Sequence, residues 1–433
     1  MAAERDALIT GIGLISCLGE TAEAHWEALD APGGFAPVVD TERFAPWPVH
    51  PMVKLDLDKQ IPKRGDQRQM EAWQRIGVHA AGLALDAAGV KGKPDLLQRM
   101  HMIVAAGGGE RDYAADEAIL AAMHQAADPE ALLNERLLAD LRPTLFLAQL
   151  SNLLAGNISL VHGVVGSSRT FMGEEAAGTD AVRTACARIA AGQGDLFLVG
   201  SSFNAERPDT LMIHEAGGVL WKQGPGSGAP EPGTLGSGTP GSGTPGPGVG
   251  APAFAGVWER QASGGGMVLG SVGCFLVIES RAHAEARGAT PIARIAAVAT
   301  DRCRRRPGES AELAEAQLAA IRPTLPQDGV AVVSSASGAA APTRAEAAFL
   351  QRLGLPVRAA ATALGHSLEA AFPAGLALAA MAVARGRLFA PLEAAEAPMP
   401  GNLSQVLVTC WGLWRGEAMA LITSPALRER PWR

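Results

Sequence analysis

Two adjacent acids, Glu174 and Glu175, follow Gly173 at the predicted start of a helix. Free N–H groups and the helix dipole stabilise negative charge there, so a structural N-terminal acid is the plain reading. The other is a carboxylate held up to a reacting centre. The nearest thiol, in Thr184-Ala185-Cys186-Ala187, falls deep inside the same helix. The dipole does little for a thiolate at that depth, and Cys186 reads as a small core hydrophobe. His366, after Gly365, is the remaining acid–base group of interest. No His lies between His283 and His366, and no Lys follows Lys222. Gly11-x-Gly13 has Ser16 where a dinucleotide fingerprint needs its third glycine. Gly107-Gly108-Gly109 lacks the Lys-Ser/Thr of a phosphate loop and reads as a tight strand-to-helix turn.

The elements that must position these groups are legible in part. Gly166 to Thr170 is loop-like, the alanine-rich stretch from Ala176 to Ala191 predicts a closely packed helix, and Gly192 ends it. Leu196 to Val199 is a short apolar run, as in a strand covered on both faces. Ala7 to Gly19 predicts a strand entering a glycine turn, and Gln67 to Ala88 an amphipathic helix with His79 on or beside its apolar stripe. His79 is therefore expected to be a core or interface histidine. Further strands are expected at Ile103–Ala106, Gly266–Glu279, Gln405–Thr409 and Glu417–Ser424. Alternating strand and helix patterns in two stretches fit a duplicated α/β sandwich whose sheets enclose central helices.

The blocks Ala7–Gly19, Phe146–Ser159, Asn157–Asn204, Gly266–Glu279 and the turn Cys410–Gly416 together resemble the β-ketoacyl-ACP synthase branch of the thiolase-like family. The resemblance is closest to chain-length-factor-like members that lack the active-site Cys. It implies a thiolase-like duplicated α/β/α/β/α sandwich with two related halves, residues 1–255 and 256–433. In that family a nucleophilic Cys opens a buried helix, two His stabilise the enolate formed by decarboxylation, and a Lys supports the second His. The family's spacing, counted back from Gly192, places Glu175 at the nucleophile position, with Glu174 the alternative register. Ser337 stands at the first His position. The Lys-x-x-x-Gly-His motif reads Ala361-Thr-Ala-Leu-Gly365-His366, so Ala361 replaces the Lys and His366 alone is retained.

A carboxylate forms no stable thioester, so the resemblance implies a non-condensing subunit paired with an active synthase in fatty acid or polyketide elongation. The dimer would be built through the strand before Glu175. Substrates would arrive on the phosphopantetheine arm of an acyl carrier protein, with no other cofactor and no metal. The alternatives are an active acyltransferase or malonyl-ACP decarboxylase using Glu175 and His366, and a homodimeric binder of acyl-ACP. Arg302, Arg304, Arg305 and Arg306 form either a solvated loop or a docking site for the acidic carrier.

Composition narrows the remaining classes. A net charge of −7 over 433 residues is too mild to suggest nucleic acid or an anionic membrane as partner. Five scattered cysteines without CxxC or Cys/His spacing predict reduced thiols, with no zinc site or disulfide frame. No signal-peptide layout opens the chain, and the apolar run Phe372–Ala384 is expected to be too short for a bilayer, so a soluble cytoplasmic protein is expected. The tract 224–250, with its doubled Gly-Ser-Gly-Thr-Pro, predicts a flexible insertion.

Overall fold

The computed structural model describes residues 5–141, 145–222, 254–321 and 329–426, so the tract 224–250 lies outside the described residues. The order of the main elements is β1 (Ala7–Ile15), α1 (Ala72–Ala87), β2 (His101–Ala105), α2 (Leu153–His162), β3 (Ser168–Phe171), α3 (Glu175–Ala190), β4 (Leu196–Phe203) and β5 (Val272–Ser280). The second series runs β6 (Ala293–Asp301), α4 (Glu309–Ile321), β7 (Val330–Ser334), α5 (Ala340–Leu353), β8 (Val357–Ala359), α6 (Ala371–Arg385), β9 (Gln405–Trp411) and β10 (Glu417–Thr423).

Strand order shows the duplication directly. The first set runs β1-β5-β4-β2-β3 and the second β6-β10-β9-β7-β8. In each set the first three strands are antiparallel neighbours and the last three are parallel. Three residue pairs, Ala7↔Ile295, Leu8↔Arg294 and Ile9↔Ala293, join the sets into one ten-stranded sheet. The repeat does not divide at 255/256: β5 lies past that boundary yet sits between β1 and β4, so the first set closes only at Ser280. Chain position and sheet membership part company there because the strand that closes the first sheet follows the insertion.

Buried apolar side chains fall into three layers. The central layer holds Ala177, Ala181 and Val182 of α3 with Leu376, Ala379 and Met381 of α6, and takes strand residues from both sets. Small residues on α3 let it lie close to both sets of strands. An outer layer packs Trp73, Ile76 and Ala80 of α1 and Leu154 and Ile158 of α2 on the first set. The other outer layer packs Leu318 and Phe349 of α4 and α5 on the second. This is the expected α/β/α/β/α arrangement.

Three local expectations change. The loop-like lead-in before Gly173 contains β3, a strand at the end of the sheet. The helix expected over 67–88 breaks at Met70, and Glu71 restarts it with a capping box, its N–H donating to the Gln74 side chain at 3.0 Å. The apolar run near 372 joins the turn before it into an 18-residue helix, Leu368–Arg385, long and apolar enough to cross a membrane. It is 89% buried within the protein, between the two sets of strands, and so is a core helix.

Candidate functional site

The site is built where three chain segments meet above the start of α3. Beyond β3, Gly173 and Glu174 both take positive φ, 128° and 56°. For a non-glycine residue this costs roughly 1–2 kcal/mol, and such strain concentrates at functional sites. The turn leaves Glu174 half-buried and drives Glu175, at the first helical position, to 1% exposure. Between the two registers left open by the sequence, Glu175 is the residue that enters the protein.

His366 meets it there. Its backbone is clamped on both sides: the His366 N–H donates to Val268 O at 2.8 Å, and its carbonyl accepts from the Gly270 N–H at 2.9 Å. Gly270 must be glycine for this approach, since a Cβ there would stand 1.8 Å from Leu364 O. The fully buried imidazole places Nε2 2.7 Å from Glu175 Oε1. The Leu413 N–H, from the glycine turn after β9, donates to the same Oε1 at 3.1 Å.

Burial alone would raise the Glu175 carboxyl. The His366 hydrogen bond and charge outweigh it, aided by the backbone N–H groups of Glu175 and Leu413, and hold the carboxyl below its ordinary range. Two backbone donors converging at a helix start form the kind of arrangement that stabilises an oxyanion. Here the anion is the chain's own side chain. Glu175 Oε2 and His366 Nδ1 have no hydrogen-bond partner among the described residues.

A third carboxyl belongs to the site and was not anticipated. Glu369 sits on the short turn Leu368–Ala370 and is buried. Burial pushes its carboxyl up to about 7, with the charges of Glu175 and Glu174 adding to the rise. Glu174 is likewise raised, first by burial and then by Glu175. One carboxylate is thus ionised against His366, and its two neighbours are biased toward holding a proton. His214, on the helix Pro208–Ala216, is lowered by burial and also feels the charge of His366.

None of the other side chains singled out from sequence hydrogen-bonds to this pair. Ser337 is buried, and its Oγ accepts the Ala339 N–H of its own turn at 3.2 Å. Ala361 packs in an apolar cluster with Val257, Ala336 and Ala359. Cys186 lies well inside α3, and desolvation pushes its thiol up to about 12. His79 is fully buried, 3.5 Å from Glu20, as a core histidine. A thiol–imidazole pair lies elsewhere, Cys17 Sγ to His50 Nδ1 at 3.7 Å, but burial drives the thiol up to about 12 and the imidazole down to about 3. Both groups are held neutral, so the pair offers no nucleophile. Among the described residues no cluster of His, Cys, Asp or Glu is arranged to hold a metal ion.

Comparison with known proteins gives a consistent picture. A family model described as the N-terminal domain of β-ketoacyl synthases matches residues 4–229, more than half of the chain. The 3-oxoacyl-[acyl-carrier-protein] synthase 2 of Vibrio cholerae serotype O1 is 24% identical over 291 residues, covering 66% of this chain and 60% of that protein. The aligned region thus spans about three-fifths of that curated relative. Among solved structures, the ishigamide ketosynthase/chain length factor superposes with a TM-score of 0.72 at 19% identity, covering 97% of this chain and 99% of the other. A type II polyketide synthase ketosynthase, solved with its acyl-carrier protein, gives 0.65 at 15% identity, covering 97% and 99%. At these identities the superpositions establish the fold.

Proposed function

The chain belongs to the β-ketoacyl synthase family, and we propose that it serves there as a non-condensing subunit of the chain-length-factor type. In this reading it pairs with a catalytically complete synthase in fatty acid or polyketide elongation, in the cytoplasm, on substrates carried by an acyl carrier protein. The observation that carries the reading is the buried Glu175–His366 pair at the start of α3. Condensation needs a thiolate that takes an acyl group as a thioester. A carboxylate in that place offers none, and its charge is already committed to His366 and to the Leu413 N–H.

Decarboxylation of a malonyl group by this chain alone is disfavoured on the same geometry. It requires donors that hold an enolate, and at 337 a short serine hydroxyl, whose oxygen accepts the Ala339 N–H of its own turn, stands where the family has an imidazole. The ionised Glu175 already occupies the one family His retained at the site, and its charge repels a malonyl carboxylate. Support for pairing comes from β3, whose outer edge ends the sheet and is flanked by exposed Leu160, Val165 and Met172. An open strand edge bordered by apolar side chains suits addition of a second strand. The likeness to a ketosynthase/chain length factor supports the same assignment.

Native mass spectrometry on the tagged protein, purified from its own cells at natural levels, tests this. The expected result is a one-to-one complex with a second synthase-sized chain that retains Cys, both His and Lys. A homodimer alone at every salt concentration, or malonyl-ACP turnover by the isolated protein that is lost in Glu175→Ala, overturns it.

A further inference from the structure

In the arginine loop after β6, Arg302, Arg304 and Arg306 are exposed, while Arg305 is half-buried. Arg302 pairs with Asp180 of α3 at 2.8 Å. Arg305 turns inward, with φ of 57°, and its guanidinium donates to the carbonyls of both Gly412 and Leu413. It is anchored from behind by Glu417, at 2.7 Å. Glu417 is itself fully buried and accepts the Ser310 hydroxyl at 2.9 Å.

The loop that Arg305 grips is the one resting on Glu175. Leu413 gives its N–H to Glu175, and a Cβ at Gly412 would stand 3.1 Å from Glu175 Oε2. A Cβ at Gly416 would stand 3.1 Å from Ala176 Cβ. The loop closes on itself through the Gly412 N–H to Gly416 O bond at 2.8 Å. It is therefore held on one side by a carboxylate from α3 and on the other by a guanidinium from a different segment. Three non-glycine residues have positive φ among the described residues: Glu174, Arg305 and Leu368. Each belongs to a segment that touches this loop or the Glu175–His366 pair, so the positive-φ non-glycine backbone of the described residues converges on one place.

We infer that Arg305 is a positioning residue that latches the 412–416 loop over Glu175 and bars access to that position from outside. Putting a thiol back at 175 would then not restore a loadable site while Arg305 remains. The inference requires no partner chain and stands or falls apart from the heterodimer.

Glu175→Cys supplies a reporter, and alkylation of the introduced thiol by iodoacetamide, read by peptide mass spectrometry, measures access in the protein as it purifies. Adding Arg305→Ala should accelerate alkylation at 175 tenfold or more. Adding Arg302→Ala, which removes only the pair with Asp180, should leave the rate unchanged. Equal rates with and without Arg305, or equal acceleration by Arg302→Ala, would overturn the inference. If Arg305→Ala abolishes the cooperative melt, Arg305→Lys is read by hydrogen exchange. Faster exchange across 411–416 with 405–410 unchanged supports the latch, and unchanged exchange in both segments refutes it.

Discussion

A carboxylate at position 175 meets every requirement of its surroundings except the one a condensing enzyme would impose. Two backbone N–H groups and an imidazole want an anion there, and Glu175 supplies it permanently. Glu175→Ala leaves His366 buried without its partner and should cost about 3 kcal/mol, read by urea melts at neutral pH. Glu175→Gln keeps an acceptor for Leu413 and should cost less. The pH profile sums opposing contributions. The lowered Glu175 carboxyl contributes stability that is present above its ordinary value of 4.5 and is lost as pH falls below it. Glu369 and Glu346, both raised to about 7, bind protons more tightly when folded, so their contribution declines as pH rises from 4.5 to 7. The imidazoles His25, His50 and His162, lowered by burial to about 4, about 3 and about 4, work the other way, since their contribution is lost as pH falls below 6.5. Together they outweigh the two carboxyls, so stability should fall from pH 7 toward 5 and further below it. Glu369→Gln removes one of the opposing carboxyl contributions and should steepen the fall between pH 7 and 5 relative to the parent chain. Glu175 and His366 were legible because a helix start and a Gly-His turn announce themselves in letters. Glu369 was not, because Leu368 takes φ of 44° and turns the next side chain back toward the site. No residue type at 368 signals that.

At the scale of elements, close approach between glycine and helix backbone fixes the frame that carries the site. A Cβ at Gly13 of β1 would stand 1.9 Å from Ala80 O of α1. Gly13→Ala must push α1 off the sheet and should cost about 3 kcal/mol by thermal or urea unfolding. Gly65→Ala, with nothing within 4 Å of the new methyl, is the control and should be neutral or slightly stabilising. Most strands and helices were readable from apolar runs and alternation. The strand β3 was not, since Ser168, Arg169 and Thr170 carry no apolar alternation. It is extended because β2 pairs with it in register, Val104 opposite Thr170, a tertiary cause with no local trace. The break at Met70 was missed for the converse reason: Glu71 and Gln74 form a reciprocal cap inside a stretch whose periodicity looks unbroken.

At the scale of the molecule, the open edge of β3 and the interleaved halves make separate claims. Met172 is exposed beside that edge, so Met172→Glu should dissociate a complex formed there while leaving the melting of the separated chain within about 0.5 kcal/mol. Native mass spectrometry with a parallel melt distinguishes loss of partner from loss of fold. Fragment 1–255 lacks β5 and β6 and leaves β1 with no neighbour on either side, whereas 1–291 restores β5. The shorter fragment should aggregate and the longer should be recovered in larger soluble yield, as judged by size-exclusion chromatography. That topology also sets an order of events during synthesis. The register Ala7↔Ser280 means that the first strand to leave the ribosome waits for one made some 270 residues later. At roughly 5–20 residues per second that is an interval of about 14–54 seconds. During it, Leu8, Ile9, Ile12 and Leu14, all destined for the interior, remain exposed to whatever else the nascent chain and the cell present. Slowing translation within 204–271 should therefore lower soluble yield more than the same delay placed after Thr423, when every strand already has its neighbour.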